Sequence, residues 1–522
     1  MRFSAVLALL AAAIPASGER RTTVASAATP SQTPLDTFKI APGSLIRVSW
    51  FTGPGDYSGL FDPAAPRRVT IRPAGAPPVA AAVVESSDPV SVLARVPPDL
   101  PLGSASITLD DLAPVTGEVV RHAFGVFTIL NGIGPARSEN GLAHPAGPGS
   151  IVTLWGTGLN GGAVTGTIGG RAIEVLYAGP APSLPGVDQL NLRLPDAVPE
   201  GCYTAVSLTA GGIAANAVTL TTGPGPCRHP LRLTPEELAR IDAGDSVPVV
   251  AVDVNSLIAG PPLPAPAAGP PAGDLVTRME SATLTTTGVN AELAWLLYQP
   301  TRMAPGTCHS ETIPYPTAVL LGGATSPVSF GPAVRLRGPD KTLILQPWNP
   351  EYPPGYALHL EWPDPVASPD KLPPTAWTPG RWSVEWDGSP DAQPFALEVA
   401  FAPPVELLGL KQGEIVDRGR DLTLRWKADG MPAGRLVNIG LLGLRTSVSC
   451  TAAANAGSIT VPREVLARLE PVPADASYPA TLSASLGAPP DQPVLFAIPK
   501  RGGTLPGVFR QGSAIQLAIT IR

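Results

Sequence analysis

Four cysteines, Cys202, Cys227, Cys308 and Cys450, are the side chains of this sequence with the most direct chemistry. An even number of thiols suits disulfides, and four allow three pairings. Sequence proximity favours Cys202–Cys227, which leaves Cys308–Cys450. Loop-closure entropy assigns about 3.5 kcal/mol to the first and about 5 kcal/mol to the second. Cys227-Arg228-His229 and Cys308-His309 also read as partial zinc sites. No C-x-x-C accompanies them, and zinc sites normally take four ligands at defined spacings. Disulfides are therefore expected, and no metal.

Other motifs fall short of a catalytic constellation. Gly156-Thr157-Gly158-Leu159-Asn160-Gly161 matches G-x-G-x-x-G and follows a strand-like run. A dinucleotide site needs a helix next, whose N-terminus holds the pyrophosphate. Here a turn and another strand follow, so a loop is expected. No G-x-S-x-G elbow is present. Ser44 and Ser150 follow Pro-Gly but lead into strands, as turn residues do. His122, His144, His229, His309 and His359 show no metal-binding spacing. The carboxylate pairs Asp110-Asp111, Glu361/Asp364 and Glu385/Asp387 could serve glycosidase chemistry only if they faced one another across a cleft. Neighbouring acids more often form a solvated surface. Catalytic residues and cofactors are accordingly expected to be absent.

The tryptophans are more suggestive. Five of nine, Trp348, Trp362, Trp377, Trp382 and Trp386, fall within 39 residues, with Tyr352 and Tyr356 among them. Trp382 and Trp386 are four apart on a strand-like run and share a face. Exposed, such rings could stack on sugars, with Trp348, Trp362, Trp382 and Trp386 the possible glycan-binding set. Buried, they would supply core, each covering roughly 150–250 Å². With few phenylalanines elsewhere, core is the favoured role, as it is for Trp426.

The elements that must position these residues are short. Pro and Gly, 65 and 54 of 522 residues, make up about 23% of the chain, just under the range where disorder becomes the default. The 44% hydrophobic content is ample for packed cores. Long helices are disfavoured, because an interior Pro costs about 3 kcal/mol and an interior Gly about 1 kcal/mol. Net charge is −6 with no run of Lys or Arg, so the electrostatic footprint of a nucleic-acid binder is missing.

The N-terminus reads as an export signal. Arg2 precedes the apolar stretch Ala5 to Ile14, Pro15 breaks it, and Ala16-Ser17-Gly18 offers a cleavage site after Gly18. Residues 19–36, rich in Ser, Thr, Ala and Pro, read as a flexible lead-in. No later apolar run is long enough to span a membrane as a helix. The expected address is secreted, whether extracellular, cell-surface or periplasmic.

Two segments then repeat. Pro42-Gly43-Ser44-Leu45-Ile46-Arg47-Val48-Ser49-Trp50 resembles Pro148-Gly149-Ser150-Ile151-Val152-Thr153-Leu154-Trp155. Leu93-Ala94-Arg95-Val96-Pro97 matches Asn191-Leu192-Arg193-Leu194-Pro195, and Pro101-Leu102-Gly103 parallels Pro199-Glu200-Gly201. A repeat of about 100 residues built from short strands has the size of an immunoglobulin-like sandwich.

Residues 148–220 resemble an IPT/TIG-type immunoglobulin-like domain. The resemblance rests on Pro148 to Leu159, Ile168-Gly169-Gly170-Arg171-Ala172, Tyr177-Ala178-Gly179-Pro180-Ala181-Pro182 and Gly186-Val187-Asp188-Gln189-Leu190-Asn191. Gly211-Gly212 and Asn216-Ala217-Val218-Thr219-Leu220 close it. More closely, the segment is similar to an uncharacterised C-terminal domain family of secreted acidobacterial proteins. The first repeat is a looser relative, without the Tyr-Ala-Gly-Pro and Asp-Gln-Leu-Asn segments. Pro305-Gly306-Thr307-Cys308 and Val448-Ser449-Cys450-Thr451-Ala452 look similar to segments that follow such domains. The resemblance implies a fold and an address, not an activity.

In the third region, Thr234, Pro235 and Glu237 spell the N-cap, first position and capping box of a short helix that Gly244 ends. Val247–Val254 and Leu275–Leu284 read as strands on either side of a Pro-rich loop, 260–273. In the fourth region, Leu422–Trp426 reads as a strand, Pro462–Leu469 as a second short helix, and Ile515, Leu517, Ile519 and Ile521 as a final period-2 strand.

The expected architecture is all-β, tandem immunoglobulin-like β-sandwiches with two short helices. Its parts are a signal peptide (1–18), the lead-in (19–36), immunoglobulin-like domains at 37–130 and 131–222, a β-rich domain at 223–402 and a sandwich at 403–522. The expected function is a non-catalytic secreted or cell-surface protein, acting as an adhesion, binding or structural scaffold toward an extracellular protein or glycan. The alternative is a carbohydrate-binding protein using the Trp cluster. A secreted hydrolase is the remote third reading.

Overall fold

Apolar residues that alternate with polar ones, punctuated by Gly and Pro, form strands through most of the described residues. The computed structural model describes residues 21–28, 38–51, 67–85, 91–130, 132–216, 218–259, 277–291, 293–294, 306–312, 328–348, 355–359, 375–410, 413–443, 446–469, 471–472, 480–487, 494–500 and 503–522. The fold is all-β, organised as tandem immunoglobulin-like sandwiches with a few short helices. The signal-peptide segment and the Pro-rich loop lie outside the described residues. Among the described residues, no helix is long and apolar enough to cross a membrane.

The chain divides into two compact units. One holds residues up to His229 together with Thr234–Ala243 and Thr312–Val319. Within it, Phe38, Ile46, Val48, Ile71, Val92, Ile107 and Leu109 pack one core. A second core gathers Val152, Leu154, Leu190, Leu192, Val206, Leu208, Val218 and Leu220 between a four-stranded and a seven-stranded sheet.

Residues 19–36 are not all flexible lead-in. Arg21–Ser26 is a strand, paired antiparallel with Leu45–Phe51 at the edge of an eight-stranded sheet. The alternation of Thr22, Val24 and Ser26, all buried, drives it in. Val24 joins the core, and Thr22 hydrogen-bonds Leu109 N–H through its hydroxyl at 3.1 Å. Composition suggested a linker because Ser and Thr dominate, but β-branched Thr also suits a half-buried strand.

The helix Pro235–Asp242 forms as its sequence dictates. Thr234 accepts from Glu237 N–H, the Glu237 carboxylate accepts from Thr234 N–H, and Pro235 occupies the first turn. Asp242 then accepts from the N–H groups of Leu142 and Ala143, at 2.9 and 2.8 Å. Cys202, on the strand Gly201–Ala210, bonds to Cys227 and fixes the segment that follows the last strand of this sandwich.

The other unit comprises Gly244–Glu311 and Leu320–Arg522 with Pro230–Leu233. Its main sheet has 14 strands. Val247–Ala259 and Thr277–Val289 are 13-residue strands, and Gly503–Ile521 runs for 19 residues. Val250 to Ala259 pair in parallel with Gly507 to Gln516. The division into separate domains at 223–402 and 403–522 is thereby revised, since strands from both segments share one hydrogen-bonded sheet. Two cores nevertheless sit along it. Val250, Val252, Leu505 and Phe509 belong to one, whereas Ile258, Ile515, Leu517, Ile519 and Ile521 belong to the other. Strands this long pass from core to core without a break. Cys308 and Cys450 lie on neighbouring strands of the sheet and are bonded to each other. Arg463–Leu466 is the second short helix.

Candidate functional site

Three of the clustered tryptophans, Trp377, Trp382 and Trp386, are core. Trp382 and Trp386 do share a face of the strand Gly380–Trp386, and that face is the inner one. Each is 2% exposed, and Trp377 is 3% exposed. Their indole N–H groups donate inward, Trp382 to Thr378 O at 2.8 Å, Trp386 to Gln393 O at 3.0 Å and Trp377 to Asn255 O at 3.1 Å. Trp382 stacks on Phe401 and Trp386 on Phe395, each with ring centroids 4.9 Å apart. Rings enclosed on both faces cannot stack on a sugar, which removes Trp382 and Trp386 from the glycan-binding set. Trp348 ends a strand, with its side chain outside the described residues, and Trp362 lies outside them altogether.

The carboxylates of Glu385 and Asp387 belong to a surface ladder. Arg335 grips Asp387 with both terminal guanidinium nitrogens, and Arg337 reaches Glu385 at 3.3 Å. Hydrogen bonds hold both acids below their usual range, Asp387 through Arg335, and Glu385 through Ser383 first and Arg337 second. Asp110 pairs with Arg67 at 3.1 Å. Glu361 and Asp364 lie outside the described residues.

The glycine-rich loop after Ile151–Thr157 is filled by the protein itself. A Cβ on Gly156 would meet Gly125 O at 2.3 Å, and one on Gly158 would meet Ala123 O at 2.3 Å, so these glycines allow backbone to pass close by. Leu159 N–H donates to Asp188 Oδ2 at 2.7 Å, so the loop already holds a carboxylate. Burial pushes the Asp188 carboxyl up, opposed by the N–H groups of Leu159 and Gly158. The strand Val164–Ile168 follows, where a dinucleotide fold would need a helix.

His229 is enclosed beside the Cys202–Cys227 staple. Its Nε2 lies 2.9 Å from the Tyr203 hydroxyl, and burial pushes its pKa down to about 4. Among the described residues, no group of three or more His, Cys, Asp or Glu side chains is placed to hold a metal ion. An open cleft of about 1150 Å³ in the same unit is lined by Lys39, Arg72, Glu118 and His122, mixing both signs of charge.

An organised outward surface occurs on the four-stranded sheet of the second sandwich. The strand Asp188–Arg193 lies between Ile151–Thr157 and Glu174–Pro180. Leu190 and Leu192 point to the core, so Gln189, Asn191 and Arg193 point away from it. Register then sets three rows across the face: Trp155–Gln189–Gly179, Thr153–Asn191–Tyr177 and Ile151–Arg193–Glu174.

The rows are internally fixed. Asn191 Oδ1 accepts from Gln189 Nε2 at 2.9 Å and from Thr153 Oγ1 at 3.4 Å. Tyr177 donates its hydroxyl to Pro180 O at 2.7 Å, and its ring lies over Gly179, where a Cβ would come within 2.9 Å of the phenol oxygen. Arg193 and Glu174 pair at 3.5 Å. Trp155 is partly exposed, and Tyr177 and Ile151 are exposed. Composition drew attention to the Trp-rich segment and away from this face. The signal that finds it is the alternation in Asp188-Gln-Leu-Asn-Leu-Arg, which sets two amides and a guanidinium on one side.

No family model and no curated protein matches the sequence. Several solved structures are similar to the chain at low scores. One is the Bacteroides ovatus mixed-linkage glucan utilization locus SGBP-B in complex with a mixed-linkage heptasaccharide, at 12% identity over 86% of this chain and 94% of that one, TM-score 0.14. Domains 5–6 of the S-layer protein SbsC match at 14% identity over 38% of this chain and 95% of that one, TM-score 0.20. Immunoglobulin domains 1–5 of Sidekick-1 match at 9% identity over 96% and 99%, TM-score 0.13. The fold class rests on the chain's own sheets and cores.

Proposed function

We propose that the chain is a non-catalytic secreted or cell-surface protein whose tandem immunoglobulin-like domains act as an adhesion, binding or structural scaffold. The observation that carries this reading is the placement of its reactive groups. The cysteines bond strand to strand or strand to tail, Trp382 and Trp386 fill core, Asp188 holds a loop, and Glu385 and Asp387 pair with arginines. A rigid sandwich with its reactive groups engaged in this way offers loops and sheet faces for recognition.

Export belongs to the same reading, supported by Arg2, the Ala5–Ile14 stretch and two disulfides of the kind that persist in oxidising compartments. The motifs between Pro148 and Leu220 support an IPT/TIG-type identity for the second domain. The separate cores over residues 24–119 and 124–220 support two repeats that divide between residues 119 and 124, ahead of the boundary expected at 130. Carbohydrate binding is the second reading, favoured by the aromatic and amide rows around Asn191, with Trp348 and Trp362 as further candidates.

The test of the scaffold reading is turnover. The secreted chain should leave ester, peptide and glycoside substrates unchanged. Turnover that disappears when one carboxylate is replaced would overturn it in favour of a hydrolase.

A further inference from the structure

We infer that the outward face of the strands Ile151–Thr157, Asp188–Arg193 and Glu174–Pro180 binds an extended, uncharged polysaccharide. This rests on the reading of the chain as a non-catalytic binding protein and names the ligand class of its second sandwich.

Charge comes first. Over its three rows the face carries one cation and one anion, Arg193 and Glu174, which pair at 3.5 Å, while its Thr157 end is covered by Leu45, whose N–H donates to Thr157 Oγ1. Its net charge is therefore zero, which disfavours a polyanion such as nucleic acid or a uronic-acid polymer and suits a neutral ligand.

Polar groups come second. Asn191 Oδ1 already accepts from Gln189 and Thr153. Those bonds orient both amides. They leave Asn191 Nδ2 as a donor and Gln189 Oε1 as an acceptor with no protein partner among the described residues, on side chains that are only partly buried. A fixed donor beside a fixed acceptor is what two adjacent hydroxyls of a sugar ring can satisfy, since each hydroxyl both donates and accepts.

Aromatic surface comes third. Trp155 and Tyr177 stand on strands two apart, about 10 Å across the sheet, with the amide pair between them. The C–H face of a pyranose is electropositive and packs on the electron-rich face of an aromatic ring. Two rings separated in this way can support two different sugars of one chain while the amides bind hydroxyls between them. Tyr177 is held by its bond to Pro180 O and by its seat over Gly179, so little side-chain freedom is lost on binding. The surface is a sheet face rather than a pocket, which suits an extended chain better than a free monosaccharide.

The experiment is retardation of the full chain in native gels cast with β-glucan, xylan, mannan or α-glucan, with alginate as the anionic comparison. The expected result is retardation by at least one neutral polysaccharide and not by alginate. Trp155→Ala and Tyr177→Ala should each weaken it at least tenfold. Asn191→Ala, a smaller change on the solvent side, should weaken it several-fold with an unchanged thermal midpoint. Ile344→Ser, on an exposed site in the other unit, should leave it unaltered. No retardation by any neutral polymer, stronger retardation by alginate, or equal retardation of all variants would overturn the inference. So would self-association in sedimentation that Trp155→Ala abolishes, because the face would then be a contact between copies. Failure to bind with no turnover leaves the scaffold reading standing, whereas cleavage of any polysaccharide counts against that reading instead.

Discussion

Replacing Asn216 by alanine should loosen the second sandwich by about 3–5 kcal/mol, the cost of leaving three buried backbone groups without partners at roughly 1–3 kcal/mol each, less what relaxation recovers. The residue is 4% exposed, and its amide takes part in three hydrogen bonds. Oδ1 accepts from Val126 N–H at 2.7 Å, and Nδ2 donates to Val126 O and Gly132 O, both at 2.9 Å. One side chain thus ties the short strand Gly125–Val126 and the turn at Gly132 to the segment that enters the last strand, Val218–Thr222. Domains commonly have about 5–15 kcal/mol in total, so the loss is a large share. The chain has more than one unit, and a single global midpoint would mix their transitions. Native-state hydrogen exchange resolved to peptides over residues 120–136 and 201–222 isolates the effect. Asn216→Asp keeps the acceptor, removes both donors and buries a charge, so it should be at least as damaging. Opening free energies in those peptides that stay within about 0.5 kcal/mol of the unsubstituted protein would refute the reasoning.

Three further outcomes follow from the same geometry. His229 titrates near 4 when folded and near 6.5 when unfolded, so between these values the unfolded chain binds more protons. The contribution of His229 is complete above pH 6.5 and falls by about 3 kcal/mol as pH drops to 4; His229→Gln should flatten this slope, and an unaltered slope in acid titration of exchange rates near Tyr203 would contradict it. Gly338→Ala should cost roughly 1–3 kcal/mol, because the new methyl would lie 2.6 Å from the Trp382 ring, which Thr378 and Phe401 hold in place. Gly225→Ala, with nothing within 4 Å, is the neutral comparison in the other unit, and an unshifted urea transition of the unit that holds Gly338 would count against the packing argument. Replacing both Cys202 and Cys227 by alanine should cost about 3.5 kcal/mol for a bridge spanning 25 residues, read as a lower urea midpoint of the second sandwich. No change there would count against the loop-closure argument, since the tail's folded-state contact from Cys227 N–H to Leu142 O does not depend on the bridge.

Much of the fold was legible because its signals are local. The capping box at Thr234 and Glu237 involves atoms three residues apart, and it formed as its sequence indicated. Ile515, Leu517, Ile519 and Ile521 alternate strictly, and all four are buried on one face of a strand. The pairing of Cys202 with Cys227 needed only proximity along the chain. The strand at Arg21–Ser26 was missed because a run of Thr and Ser is equally compatible with a linker until a neighbouring strand supplies its hydrogen bonds.

The candidate site shows where local signals stop. Alternation placed Trp382 and Trp386 together on one face, and Thr153 and Trp155 together on another, but alternation is the same whichever side meets solvent. Phe401, Phe395 and the rest of their core cover the first pair, while the second pair lies opposite the core residues Val152 and Leu154. Sequence by itself therefore determined the element types, the turns, the sandwich class and the near disulfide, all set by residues within reach of one another along the chain. Tertiary structure decided which faces are inside, that residues 250–259 pair with 507–516 in one continuous sheet, and that Trp155, Tyr177, Gln189 and Asn191 stand together in the open. Those outcomes depend on contacts between distant segments, and neighbours along the chain carry no record of them.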